Sequence, residues 1–128
     1  MTGADGDLAG LRLLLVEDEY LVARDIRRTL LAAGCAEVEL AATLRDGQRR
    51  ASTGGLDGAL LDIKLGDADA FPLAEHLLET GVPLLFITGY SGDSIPKRLQ
   101  GVVRLDKPFP RRQLVHAVRC AIAGKPER

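Results

Sequence analysis

The chain has 128 residues, of which 46% are hydrophobic and 27% are charged, and its formal net charge is −1. This length is typical of one domain, and the hydrophobic content is enough to bury a core. The balanced charge gives no basic field that would indicate DNA binding, and no apolar run is long enough to cross a bilayer.

The two ends of the sequence are predicted to lie outside the domain. Residues 1–10, MTGADGDLAG, are small and acidic and lack the basic and apolar parts of a signal peptide. We predict a disordered tail over residues 1–10, one domain over residues 11–124 and a short tail over residues 125–128. Without an export signal the protein is expected in the cytoplasm, where Cys35 and Cys120 stay reduced.

Between the tails, short apolar runs alternate with amphipathic segments. In chain order, the patterns predict a strand at residues 12–16, a helix at 20–33, a strand at 38–41, a helix at 43–51, a strand at 59–61, a helix from 72 to about 80, a strand at 82–87, at most a short helix at 95–100, a strand at 102–105 and a helix at 111–123. Residues 62–71 and 88–94 are predicted as loops.

Individual residues support these boundaries. Thr43 is a suitable N-cap, Pro72 suits a first helical turn, and Gly34 and Gly81 follow helix ends. The helix at 72–80 is expected to turn three leucines toward the core: Leu73, Leu77 and Leu78.

The alternation of strands and helices favours a doubly wound α/β fold, with a parallel sheet covered by helices on both faces. The strands are apolar without alternation, as expected when both faces of a sheet are buried. In such folds ligands bind at the carboxyl ends of the strands.

Chemically active side chains follow four of the predicted strands. Glu17 and Asp18 follow the first, Asp62 the third, Thr88 the fourth and Lys107 the fifth. Three carboxylates in one crevice repel each other unless a cation is present, and Mg²⁺ prefers such oxygen ligands. A carboxylate beside Mg²⁺ can attack a phosphoryl group and form an acyl phosphate, while a lysine and a hydroxyl hold the transferring oxygens.

The pattern resembles the receiver domain of bacterial two-component response regulators over about residues 11–124. The similar segments are LLLVEDE at 13–19, GALLDIKLGD at 58–67, FITGYS at 86–91 and LDKPF at 105–109. The resemblance implies a flavodoxin-like fold with strand order 2-1-3-4-5. It also implies a phosphoacceptor signalling domain that catalyses only its own phosphorylation and dephosphorylation, not an enzyme acting on other substrates.

The resemblance also assigns roles to residues. Asp62 is the implied phosphoacceptor, with Thr88 and Lys107 as its phosphoryl partners. The implied Mg²⁺ ligands, for which Mn²⁺ can substitute, are Glu17, Asp18, Asp62 and the backbone carbonyl of Lys64. A cis peptide bond is expected between Lys107 and Pro108. Glu19, next to the acidic pair, is expected to face solvent or to cap the first helix.

The segments after the third and fourth strands further resemble the "FAT GUY" subgroup of single-domain receivers, whose fourth helix is often short or poorly ordered. One position departs from ordinary receivers: Arg104 stands where an aromatic residue turns inward on phosphorylation. Tyr90, two residues after Thr88, is the aromatic residue available to replace it in the switch.

The function that follows is a stand-alone response regulator, phosphorylated by a sensor histidine kinase, of the HWE or a related type, or by a phosphotransfer protein. It would switch its binding to a separate downstream protein, or act as a phosphorelay intermediate or phosphate sink, as a monomer or weak dimer. Two alternatives remain open. One is a pseudo-receiver that only binds partners; the other is a haloacid dehalogenase-type phosphatase, which would need an acid where Lys64 stands.

Overall fold

The computed structural model describes residues 8–89 and 95–123. A five-stranded parallel sheet lies at its centre, in the order β2-β1-β3-β4-β5. The strands are β1 (Arg12–Val16), β2 (Glu37–Ala41), β3 (Gly58–Asp62), β4 (Leu84–Thr88) and β5 (Val103–Asp106). The helices are α1 (Tyr20–Ala32), α2 (Leu44–Ala51), α3 (Phe71–Glu79) and α4 (Arg111–Ala121). The predicted α/β fold and strand order are confirmed.

The two faces of the sheet bury separate hydrophobic clusters. Leu13, Leu15 and Leu60 belong to the cluster beneath α1 and α4. Leu14, Val16 and Leu61 point the other way, into the cluster beneath α2 and α3. Neighbouring residues of one strand are therefore buried in clusters on opposite faces of the sheet. This explains why β1 and β3 are apolar without alternation.

The register of the sheet brings the strand ends together. Val16 at the end of β1 pairs with Leu61, and Asp62 pairs with Ile87 of β4. Thr88, which ends β4, pairs with Asp106 of β5. Because all five strands are parallel, residues that follow them meet at one edge of the sheet.

The packed part of the chain begins earlier than predicted. Residues 1–7 and 124–128 lie outside the described residues, but residues 8–10 of the predicted tail do not behave as a tail. Leu8 is fully buried, and its N–H donates to the carbonyl of Ala33. Because the neighbours of Leu8 are small or polar, the sequence shows no apolar pattern that would predict its burial.

Two further details correct the predicted elements. The predicted loop at 62–71 contains a small antiparallel hairpin that pairs Lys64–Leu65 with Ala68–Asp69. Its tight turn uses the positive φ of Gly66, +62°. In α3, Leu73 and Leu77 are buried as predicted, but Leu78 is 42% exposed because it lies one position beyond the buried stripe.

Between β4 and β5 the described residues contain only a 3₁₀ turn, Lys97–Leu99, where at most a short helix was predicted. Ile95 and Leu99 anchor this segment in the cluster beneath α3. No helix of the described residues combines the length and apolar character that crossing a membrane requires.

Candidate functional site

Three carboxylates converge at the carboxyl edge of the sheet. Glu17 and Asp18 follow β1, and Asp62 ends the adjacent strand β3. The backbone N–H of Glu17 donates to the carbonyl of Ala41, which fixes the start of this acidic segment beside β2. One oxygen from each of the three carboxylates lies within 4.8 Å of the other two. The predicted acidic cluster is therefore present.

The ammonium of Lys107, just beyond β5, reaches into this cluster. Its Nζ lies 2.8 Å from Oε1 of Glu17, and it donates to Oδ2 of Asp62 at 3.0 Å. The backbone N–H of Lys107 donates to the carbonyl of Thr88, which holds the residue against the end of β4. Asp106, the neighbour of Lys107 in the sequence, pairs with Arg104.

Glu17 is the most deeply buried acid of the cluster. It is only 2% exposed, and its Oε2 accepts a hydrogen bond from the N–H of Glu19. Burial raises the pKa of Glu17 to about 7, and the nearby charge of Asp62 adds to this effect, while the contacts with Lys107 and the N–H of Glu19 oppose it. Ionisation of Glu17 therefore lowers the stability of the folded chain.

Lys107 responds in the opposite sense. Burial disfavours its charge, but the close contacts with the carboxylates of Glu17 and Asp62 outweigh burial and raise the pKa of Lys107 above its ordinary value. The ammonium therefore stays charged at neutral pH and offsets part of the repulsion among the carboxylates.

The hairpin that follows β3 closes one side of the cluster. The N–H of Gly66 donates to Oδ2 of Asp18 at 3.1 Å, and the N–H of Lys64 donates to Oδ1 of Asp62 at 3.3 Å. The backbone N–H of Lys64 therefore contacts the site, and the residue as a whole is exposed. One local signal for this turn is the Gly66-Asp67 pair between two short β-forming segments.

The remaining predicted residues take different positions. Thr88 is completely buried at the end of β4, the strand next to Asp62. The Lys107–Pro108 peptide bond is cis, as the resemblance implied. Arg104 is exposed on β5 and donates to Asp106 at 3.1 Å. Tyr90 lies outside the described residues.

One contact was missed from the sequence. Glu19 faces solvent, one of the two positions expected of it, with its side chain 63% exposed, and that side chain makes no capping hydrogen bond at the start of α1. Its Oε1 instead accepts a hydrogen bond from Nζ of Lys107 at 3.3 Å. The two residues are 88 positions apart, so no local pattern links them.

The chemistry of the cluster fits a hard divalent cation. Oε1 of Glu17 is buried and accepts no hydrogen bond from the described residues, because its contact with Lys107 lacks hydrogen-bond geometry. A cation would compete with the Lys107 ammonium for this oxygen, and three clustered carboxylates supply the oxygen ligands that Mg²⁺ prefers.

Comparisons with known proteins agree with this geometry. The family model for the response regulator receiver domain matches residues 13–119. The structure of SdrG from Sphingomonas melonis Fr1 is similar, at 33% identity and a TM-score of 0.75, covering 85% of this chain and 93% of that chain. A CheY-like receiver domain protein from Methanospirillum hungatei JF-1 is 29% identical with a TM-score of 0.76, covering 87% and 92%.

A third similar structure is the response regulator PhyR from Brucella abortus, 25% identical with a TM-score of 0.76. The alignment covers 92% of this chain but only 50% of PhyR. A comparison with curated proteins gave no match. Receiver domains are phosphoacceptor signalling domains that bind Mg²⁺ at acidic residues, and this chain presents an acidic cluster of that kind. The chain belongs to the response regulator receiver domain family.

Proposed function

We propose that this chain is a single-domain response regulator that accepts a phosphoryl group on Asp62 when Mg²⁺ is bound. The observation that carries the proposal is the surrounding of Asp62. This carboxylate ends the central strand, is 6% exposed, and lies among two further carboxylates and the ammonium of Lys107. A nucleophile, a set of cation ligands and a positive partner for phosphoryl oxygens are thus gathered at one point.

In the proposed reaction, a carboxylate oxygen of Asp62 attacks the phosphorus of a phosphohistidine. A P–O bond forms to Asp62 as the P–N bond breaks, and the departing imidazole takes up a proton. The product is an acyl phosphate, and attack by water on its phosphorus later releases inorganic phosphate and restores the carboxylate. Lys107 and the hydroxyl of Thr88 stabilise the phosphoryl oxygens.

Glu17, Asp18, Asp62 and the backbone carbonyl of Lys64 would hold the cation, either Mg²⁺ or Mn²⁺. When bound, the cation offsets negative charge on the transferring oxygens. Oε1 of Glu17, which is buried and accepts no hydrogen bond from the described residues although it pairs with the ammonium of Lys107, supports the place of Glu17 in this ligand set. The hydrogen bonds from the hairpin to Asp18 and Asp62 hold both carboxylates in orientation.

The donor would be a sensor histidine kinase, of the HWE or a related type, or a phosphotransfer protein, and the protein would act in the cytoplasm. Phosphorylation would draw Thr88 toward the phosphoryl group and shift an existing conformational equilibrium. Tyr90 would take the part of the aromatic switch, since Arg104 is occupied by Asp106 on the surface of β5. The signal would pass to a separate protein, with the receiver as a monomer or weak dimer.

The proposal is tested by intact mass after incubation with acetyl phosphate, with and without MgCl₂. Wild type is expected to gain one phosphoryl group (about 80 Da for the acyl phosphate) only with Mg²⁺, and Asp62→Asn is expected to gain none. A gain in Asp62→Asn would contradict the assignment. If neither protein gains mass and Mg²⁺ does not bind, the chain is instead a pseudo-receiver that acts by binding alone.

A further inference from the structure

We propose that Glu19 is a positioning residue that competes with the phosphoryl group for Lys107 and thereby slows phosphorylation. This inference rests on the proposed function, because it concerns the rate at which Asp62 acquires its phosphoryl group. It assigns a role to a carboxylate that belongs neither to the implied metal ligands nor to the phosphoacceptor.

The geometry joins three carboxylates to one ammonium. Nζ of Lys107 lies 2.8 Å from Glu17, 3.0 Å from Asp62 and 3.3 Å from Glu19. The Glu17 and Asp62 side chains are almost completely buried, whereas that of Glu19 is 63% exposed. Glu19 therefore contacts Lys107 from the solvent side of the cluster, and we take this exposed side, at Glu19, as the mouth by which a phosphodonor approaches.

The backbone fixes Glu19 in this place. It is the N-cap residue of α1, in extended conformation, and its side chain makes no capping hydrogen bond. Its N–H donates to Oε2 of Glu17, which ties the residue to the buried acid of the cluster. The Glu19 carboxylate is thus not engaged in stabilising the helix end, and its hydrogen bond in the structure goes to Lys107.

Phosphorylation changes the competition for Lys107. A bound cation would engage Glu17, and Asp62 would become the acyl phosphate. Glu19 takes neither role, so its carboxylate continues to attract Lys107 while the phosphoryl oxygens require the same ammonium. Its negative charge also repels an incoming anionic donor. Both effects act in one direction, and removal of the charge should accelerate phosphorylation.

The expected size follows from the interaction of one charge with the donor across the solvent-exposed mouth. For a dianionic donor a few ångströms away, a water-like dielectric and ordinary salt give about a threefold increase in rate when the charge is removed, and the part of this increase that passes through Lys107 is expected to disappear in a Lys107→Met background. A monoanionic donor should show a smaller increase. A role confined to folding would not distinguish donors by their charge.

The experiment measures initial phosphorylation rates by intact mass in MgCl₂, with acetyl phosphate as the dianionic donor and phosphoramidate as the donor of lower charge. Glu19→Gln is compared with Glu37→Gln, which removes the same charge from an exposed residue at the start of β2, the opposite end of the sheet. We expect about a threefold gain with acetyl phosphate for Glu19→Gln alone, a smaller gain with phosphoramidate, and near wild-type rates for Glu19→Asp.

Two results would overturn the inference. Equal rates for Glu19→Gln and Glu37→Gln would show that Glu19 has no special position. An undiminished gain from Glu19→Gln in a Lys107→Met background would show that the effect does not pass through Lys107. If wild type forms no acyl phosphate, the proposed function fails and this inference fails with it; if Asp62 is phosphorylated normally, these two results reject the inference alone.

Discussion

Replacing Glu17 by glutamine is expected to stabilise the metal-free protein and to weaken its response to Mg²⁺. Glutamine keeps the size of the side chain but removes a charge that is 2% exposed. Burial is the main reason that the pKa of Glu17 rises from its ordinary value of 4.5 to about 7. The folded chain therefore holds this carboxylate in its charged form only at a cost in stability.

The magnitude follows from that pKa. A difference of about 2.5 between the unfolded and folded states, at about 1.4 kcal/mol for each pKa unit, corresponds to about 3 kcal/mol at neutral to alkaline pH. Because the pKa of Glu17 is higher in the folded state, its protonation favours folding. This contribution to the free energy of unfolding is complete below about pH 4.5 and is lost as the pH rises through about 7. Because the contact with Lys107 is already included in that pKa, and because burying an amide in place of a neutral acid costs part of the gain, a net gain of about 1–2 kcal/mol is expected.

The assay is urea unfolding at pH 7.5 in EDTA and again in saturating MgCl₂. Wild type should be less stable than Glu17→Gln in EDTA, and should gain more from Mg²⁺, since a ligand that binds only the folded state stabilises it. Glu37→Gln, an exposed substitution of equal charge, serves as the control. A Glu17→Gln protein that is less stable in EDTA, or that gains as much from Mg²⁺ as wild type, would refute the reasoning.

Three further predictions concern the fold. Gly58→Ala should lose about 1–3 kcal/mol in urea unfolding, because a Cβ there would lie 2.3 Å from Cγ2 of Ile122, whereas Gly101→Ala meets open space and should change little. Thr43→Ala should cost about 1 kcal/mol in the same assay, since its hydroxyl accepts an N–H at the start of α2. Burial raises the pKa of the Cys35 thiol from 9.0 to about 11. The neutral thiol therefore contributes fully to folding stability below about pH 9, and this contribution is lost as the pH rises toward 11. Between those values Cys35→Ala should lose less stability than wild type.

Each of these predictions has a contrary result. Equal stabilities of the two glycine variants would mean that Ile122 can move away from the added Cβ without a loss in the free energy of unfolding. A Thr43→Ala protein as stable as wild type would remove the capping bond from the account of α2. Parallel loss of stability at alkaline pH in Cys35→Ala and wild type would show that other groups cause it.

Much of the fold was predictable because its strands are buried on both faces. Apolar runs without alternation, separated by helical patterns, leave few arrangements other than a covered parallel sheet. That arrangement places Glu17, Asp18 and Asp62 at one edge from their strand positions alone. The details that failed are those that depend on contacts between distant segments or on a single residue's orientation.

The failures have physical reasons. Leu78 fits an apolar helical pattern as well as Leu77 does, and only the packing of α3 decides which faces the core. Leu8 is a single buried apolar residue in a segment whose other residues are mostly small or acidic, so no pattern marks it. The hydrogen bond between Glu19 and Lys107 joins opposite ends of the chain, so it arises only when β1 and β5 have folded into the same sheet.

Phosphorylation on Asp62 is tested most directly by locating the phosphoryl group. After phosphorylation in MgCl₂, borohydride reduces an aspartyl phosphate to homoserine and releases phosphate, and peptide mass mapping identifies the altered residue. We expect homoserine at position 62 in wild type and none when Mg²⁺ is withheld. Homoserine at another aspartate, or a stable phosphoryl group on a different residue type, would contradict it.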